Sequence, residues 1–521
     1  VEYIKIGIIL LFCFFLRRIF IITKSSDVSV HLWHIKKSKI FGFGKHNAFN
    51  SIFDGTKGYP SLPHFILSLF PEKKWIRIGY LLNIIYDCIN IFIVYFAAKF
   101  IFSRNFIPIN NQFIEPHLMA VLLYGTAPIM LPYTSRLKSF GGRTFGNLMN
   151  IIYFSSLGML IITNNYFSLF FLLLSGILII LSSSFGMQVM IFFSIILSII
   201  YLTIIPIVML AFIFLIGIFF PFLGIKDILR FKLNHYIWYK KNYQKGTTAA
   251  DRNRLIDFIQ YPLYAFKDRK KFFVLSFKRL TPIIAAYSLP ALVFLIYWFA
   301  VDSSVYFDLV NNEVNKYLLS ITFASIVIFF ITSLKWFSFL GEAERYFEYS
   351  AWAITLLFVI VCYKNNYYNL LIYLLILHVC IVLINFTASV RQNIRKALRI
   401  EENKNLEQIL EFLKSKSEGR VLSIPTKLNF ILGYFISNSL KFYYQFIVED
   451  KINGFKKQCE DEIVYNYIIP DFEHFIDKYM VNIIVVEKKA IRASKKKYNL
   501  DYNFSKFKIT LENEEFLIYE L

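Results

Sequence analysis

The sequence predicts a polytopic α-helical membrane protein of about eleven transmembrane helices, with a small C-terminal α/β soluble domain. Three observations carry this. Hydrophobic residues make up 57% of the chain against 18% charged, and the mean hydropathy is +0.52, which excludes a soluble globular fold and a disordered chain. The apolar residues fall in runs long enough to cross a bilayer. Beyond residue 387 the pattern changes to charged, alternating segments.

Hydrocarbon about 30 Å thick needs roughly 20 apolar residues of helix. Such runs fall near 4–22, 79–102, 115–132, 148–163, 166–182, 283–300, 317–334, 350–363 and 369–386. The first is a retained span and not a cleaved signal, because Arg17 and Arg18 interrupt its end and no small-residue cleavage site follows. The run 187–223 is about twice the length one crossing requires, and Pro206 lies near its middle, where the missing N–H permits a bend. Two helices are expected there.

The domain division follows: 1–387 is the membrane part, with its first outer loop at 23–78, and 388–521 is the soluble part. Within the latter, 402–416 reads as an amphipathic helix, 471–479 as a second helix, and 421–425 and 483–487 as strands. Segments 507–511 and 516–521 read as a hairpin around Asn513. The formal charge of +22 fits basic residues flanking spans at anionic headgroups better than nucleic acid. The five cysteines form no CxxC pair, so neither a disulfide framework nor a zinc site is expected.

The first outer loop holds the candidate chemistry. Asp27, His31 and His34 share one face at helical spacing. A carboxylate beside two imidazoles can do acid–base work or face phosphate, and Asp27 can equally cap the helix that follows. Further on, Gly58-Tyr59-Pro60-Ser61-Leu62-Pro63-His64-Phe65 leads into a segment too short to span, expected as a short interfacial helix.

Together these features resemble the GT-C superfamily of integral membrane glycosyltransferases, which use polyprenyl-phosphate sugars. The order is one span, an outer loop with an early Asp27, then Tyr59-Pro60 and His64 before the second span. The segment from Ser139 through Gly142-Arg143 to Leu148 is similar to a Ser-x-Arg-x-x-Gly-x-Leu element of bacterial relatives. Ser183-Ser184-Phe185-Gly186-Met187-Gln188 is similar to a segment between two later spans. Gly341-Glu342-Ala343-Glu344-Arg345-Tyr346 resembles a Gly-Glu-x-Glu-Arg-Tyr signature, and 477–486 a recurrent outer-domain element.

The resemblance implies transfer of a sugar from a polyprenyl-phosphate donor to a hydroxyl of a glycan, lipid or protein, at the outer face of a bacterial inner membrane. Asp27 is the expected catalytic base. His31, His34, Tyr59, His64, Arg143, Glu342, Glu344 and Arg345 are the expected substrate-binding residues, with Arg345 holding phosphate and Glu342 or Glu344 fixing it. No cofactor is required. A divalent cation is the open alternative, with Asp27 and Asp54 as its ligands, although relatives carry two adjacent acids where Asp27 stands between Ser26 and Val28. An odd span count puts Asp27 and Glu342–Arg345 on one face.

Two other functions compete. A lipid-linked oligosaccharide flippase or transporter would carry polar residues near the bilayer midplane, whereas those here gather at span ends. An O-antigen polymerase or ligase would use a basic central loop, for which 226–279, with His235, Arg252 and Arg254, is the candidate.

Overall fold

A computed structural model describes residues 2–20, 28–104, 115–131, 141–242, 263–264, 266–269, 289–334, 336–397, 404–436, 439–444, 463–464, 467–468, 472–499 and 502–521. Asp27, Ser139, Arg252 and Arg254 lie outside the described residues. The chain forms two compact units. The first draws on Val1–Ser25, Ile76–Phe219 and Thr248–Asn393, the second on Ser26–Trp75, Phe220–Thr247 and Ile394–Leu521.

The first unit is helical. Among the described residues, four helices are long and apolar enough to cross a membrane: Glu72–Ser103, Arg143–Thr163, Glu313–Ser333 and Arg345–Lys364. Shorter apolar helices occupy Ser168–Ser182, Ser184–Ile200, Ile205–Phe219, Pro290–Val301 and Tyr368–Ile384. Arg345–Lys364 is the centre, apolar on every side and buried throughout, as a helix surrounded by other helices must be. Its hydroxyls bond back to its own backbone, Thr355 Oγ1 donating to the Ala351 carbonyl at 2.7 Å. The same device serves Thr332 at Ile328 and Thr322 at Leu318 on the neighbouring Glu313–Ser333 helix. Outward faces elsewhere carry bare Ile8, Phe15, Phe170 and Phe212, the side chains a lipid environment accepts.

The run 187–223 does form two helices, but the break differs from the one expected. Ser184–Ile200 ends at Tyr201, and Ile205–Phe219 begins four residues later. Pro206 lies in the first turn of the second helix, where its missing N–H costs nothing, and the turn passes through Leu202 at φ +48°. Polar residues are also not confined to span ends. Asp87, near the middle of the Trp75–Arg104 helix, is fully buried against the equally buried Arg17, whose Nη1 donates to the Gly125 carbonyl at 3.0 Å.

The second unit is built around a mixed sheet. Its strands are β1 (Glu418–Ile424), β2 (Ser439–Phe442), β5 (Ile483–Glu487), β6 (Lys508–Glu512) and β7 (Phe516–Glu520), in the order β2-β1-β5-β7-β6. Two-residue strands β3 (Ile463–Val464) and β4 (Tyr467–Ile468) pair separately. β1 runs parallel to β2 and β5, and the β6–β7 hairpin pairs antiparallel. All four inner positions of β5, Ile483 to Val486, are buried, as a central strand covered on both faces requires.

The expected tail elements are present: helices Lys404–Lys414 and Phe472–Tyr479, strands β1 and β5, and the hairpin. The first loop belongs to this same unit. Trp33, on the Val28–Phe41 helix, stacks on Phe49 at 5.1 Å and meets Phe430 and Tyr444 of the tail at 5.6 and 4.8 Å. At the β2 edge, Phe442 N donates to the Asn50 carbonyl at 2.7 Å and Ile52 N to the Phe442 carbonyl at 3.0 Å.

Candidate functional site

In the first unit the N-termini of three helices converge. Arg143 opens the Arg143–Thr163 helix, Ser184 opens Ser184–Ile200, and Arg345 opens Arg345–Lys364. Contacts between first turns hold them together. Arg143 forms a two-pronged ion pair with Glu348, its Nε reaching Oε1 at 3.2 Å. Ser183 Oγ lies 3.4 Å from the Tyr349 hydroxyl, and Phe185 packs on Tyr346 at 4.8 Å. Gly146 makes the approach possible, since a Cβ there would sit 2.4 Å from Ser183 Cβ.

Each local structure follows from sequence. Ser183 caps its helix, its Oγ accepting from Gly186 N at 3.0 Å, the usual role of a serine before an apolar run. Arg345 pairs with Glu342 three residues back and lies 5.5 Å over the Phe185 ring. Its side chain remains 31% exposed, whereas Glu348 is fully enclosed. Converging helix N-termini favour negative charge, because their first N–H groups and dipoles point outward. Both guanidinium groups are already paired with carboxylates, so an anion such as phosphate would be met here by the helix starts and the partly exposed Arg345.

Thus Arg143, Glu342 and Arg345 are brought together. The fixing partner of Arg345 is Glu342, while Glu344 is buried beside it. Glu348, considered in the sequence only as an ion-pair partner for Arg345, pairs Arg143 instead. It precedes an apolar run and reads as a span-end charge until its helix is placed against Arg143.

The second unit gathers the loop residues. His31 and His34 on the Val28–Phe41 helix face His64 on the Leu62–Ser68 helix, with Tyr59 between. His64 Nδ1 donates to the Pro60 carbonyl at 3.1 Å, so its neutral ring accepts at Nε2 from His31 Nδ1 at 2.9 Å. This chain fixes both tautomers. His34 stacks on Tyr59 at 4.8 Å, and burial, with the charge of Lys37 next, pushes its pKa well below the ordinary histidine value. Burial and His31 do the same to His64.

Two buried lysines were missed. Lys37, 1% exposed, donates to the Lys57 carbonyl at 3.0 Å. Burial and then the Lys57 charge lower its pKa to about 7, with Asp227 pulling the other way. The signal was present in spacing, since Lys37 follows Trp33 by one helical turn and lies 5.9 Å over its ring.

Asp54 is exposed. Among the described residues, the group that could hold a metal ion is Glu2, Glu115 and His117 in the first unit, where Lys99 and Lys5 hydrogen bond the two carboxylates at 3.0 and 2.8 Å. Compared with known proteins, the chain matches no family model and no curated sequence.

Proposed function

We propose that the chain is a membrane glycosyltransferase that moves a sugar from a polyprenyl-phosphate donor to an acceptor hydroxyl. The observation that carries this is the convergence of three helix N-termini with Arg143 and Arg345 in the helical unit. The acceptor oxygen attacks the anomeric carbon, the bond from that carbon to the phosphate oxygen breaks, and the carrier phosphate leaves with the electron pair. Outward-pointing N–H groups and Arg345 stabilise the charge that grows on that phosphate. Asp27 is the base that takes the hydroxyl proton in this proposal, and His31, His34, Tyr59 and His64 are substrate-binding residues. Glu342 and Glu344 orient Arg345.

In this proposal the chain crosses a bacterial inner membrane about eleven times, the four long helices supplying four of the crossings, with the tail outside. A bound divalent cation is not required by this chemistry. The test is transfer of labelled sugar by the purified full chain in liposomes supplied with polyprenyl-phosphate sugars. Arg345→Ala is expected to lower kcat about 100-fold while the chain inserts and folds normally, and Asp27→Asn to abolish turnover. Wild-type rates in Arg345→Ala overturn the assignment. Cysteine labelling at positions 27 and 342 must occur from the outer face in both cases.

One observation favours a second function, transport of a lipid-linked oligosaccharide: the Arg17–Asp87 pair is buried within apolar helices, a placement common along transport paths. Movement of labelled lipid across the bilayer with no glycosylated product would select it.

A further inference from the structure

Toward the end of the helical unit away from the three helix starts, a cavity of about 310 Å³ lies between the helices Pro290–Val301 and Glu313–Ser333, with Ile200 beside it. Ser184–Ile200 begins at the convergence, so Ile200, its last residue, marks the opposite end. Leu292, Leu295 and Phe299, one face of their helix, form one wall, and Leu319 and Ile326 stand in the other. The hydroxyls of Ser320 and Thr322 in that second wall turn back to their own helix, donating to the Lys316 carbonyl at 2.7 Å and the Leu318 carbonyl at 3.0 Å. The walls therefore present hydrocarbon. Two further lining residues, Ile296 and Phe323, are 51% and 52% exposed, so the cavity opens sideways onto the outward apolar surface.

From Lys316 to Ile326 the lining follows its helix for about 15 Å, which makes the space long. An apolar space gains nothing from water and accepts hydrocarbon, and in a bilayer the hydrocarbon at hand is a lipid acyl chain entering from the side. Charge is confined to one end. Lys316 is the charged residue in the lining; its ammonium lies 3.4 Å from Glu313 and 5.2 Å over the Tyr201 ring. Both members of the pair stay accessible, Glu313 the more so. Asp308, also exposed, stands two residues before the lining residue Val310, while Asp302 is engaged as a cap, accepting from Ser304 N at 2.9 Å. The helices Ser303–Val310 and Glu313–Ser333 thus bring two carboxylates and one ammonium to this end. A purely anionic head would meet Lys316 and be repelled by the carboxylates. A head carrying both a phosphate and a primary ammonium suits both signs, its phosphate accepting from Lys316 and its N–H groups donating to Glu313 and Asp308. A trimethylammonium has no N–H to donate.

We infer that this cavity holds an acyl chain of a phosphatidylethanolamine, with the phosphate at Lys316 and the ammonium at Glu313 and Asp308. The inference requires a bilayer around the helical unit and is independent of the transferase reaction.

The test is native mass spectrometry of the full chain, purified in mild detergent and supplied with phosphatidylethanolamine, phosphatidylcholine or phosphatidylglycerol of identical acyl chains. The wild type is expected to retain one phosphatidylethanolamine about fivefold more strongly than phosphatidylglycerol. Glu313→Gln is expected to remove that preference, and Lys316→Gln to weaken retention of all three lipids, since each carries a phosphate. Leu319→Trp, which fills the cavity, is expected to abolish stoichiometric retention whatever the head, and Leu319→Phe is the smaller change if the tryptophan variant fails to fold. Retention of no lipid, or retention that filling the cavity leaves unchanged, overturns the inference. Equal retention of the three lipids overturns the assignment of the head, and a preference for phosphatidylglycerol overturns it in favour of an anionic lipid read by Lys316 alone.

Discussion

At the scale of single residues, the loop cluster in the second unit is unusual for how many basic groups it holds uncharged. His34 and His64 are held well below the ordinary histidine value and His46 and His235 at about 3, burial being the main cause in each. An imidazole that stays neutral when folded but takes a proton when unfolded makes stability rise with pH between its two pKa values. The second unit is therefore expected to lose stability as pH falls from about 6.5, continuing toward about 3 for His46 and His235. Lys37, lowered to about 7, adds a further decline as pH drops from about 10.5 to that value. Hydrogen exchange of the Val28–Phe41 helix across pH 4–9 checks this, since flat protection would mean the imidazoles are protonated when folded. The cluster was half legible: helical spacing put His31 and His34 on one face, and Tyr59 and His64 entered separately with the Tyr59-Pro60 to His64 segment that carries the family resemblance. Lys37, one helical turn after Trp33, and Lys57 were passed over, because a lysine reads as solvated until its neighbours are known.

At the scale of elements, pattern carried most of the tail. Amphipathic period gave the Lys404–Lys414 and Phe472–Tyr479 helices, and short β-branched runs gave β1 and β5. The Leu428–Phe435 helix and β2 were not foreseen: an apolar segment of eight residues has too few turns for its period to distinguish helix from strand. Helix pairing in the first unit depends on a feature that hydropathy does not register. Gly146 lets Arg143–Thr163 meet Ser183, and with it the three-helix convergence. Gly146→Ala is expected to destabilise by about 1–3 kcal/mol through overpacking, measured as loss of Tm in detergent. Ser183→Gly removes the clashing Cβ while costing only a few tenths of a kcal/mol as a cap, so the double variant should recover most of the loss. Strict additivity of the two changes would show that the helices are not in contact at Gly146.

At the scale of the molecule, the second unit could not be read from local pattern because its core joins segments nearly 400 residues apart. Lys36 Nζ donates to the Tyr434 carbonyl across 398 positions and Asn50 Nδ2 to the Ile436 carbonyl across 386. Periodicity reports which face of an element is apolar, not which distant element covers it. Reading 23–78 as a loop of the membrane part and 388–521 as a self-sufficient domain left the apolar Trp33, Phe49 and Phe53 without a destination. They lie in one continuous core with Val421, Leu422, Ile484 and Phe516. If that core is one cooperative unit, a defect in the loop must open the sheet. Trp33 is fully buried among four aromatic rings and packs on both sides of the junction, so Trp33→Ala should cost about 3–5 kcal/mol. Hydrogen exchange of the full chain should then show amides of β1 and β5 losing protection in step with those of Val28–Phe41, while the Arg345–Lys364 helix keeps its own. Strands that remain protected when the loop opens would mean that the tail folds without it, and that the loop residues are attached to the sheet without being part of its core.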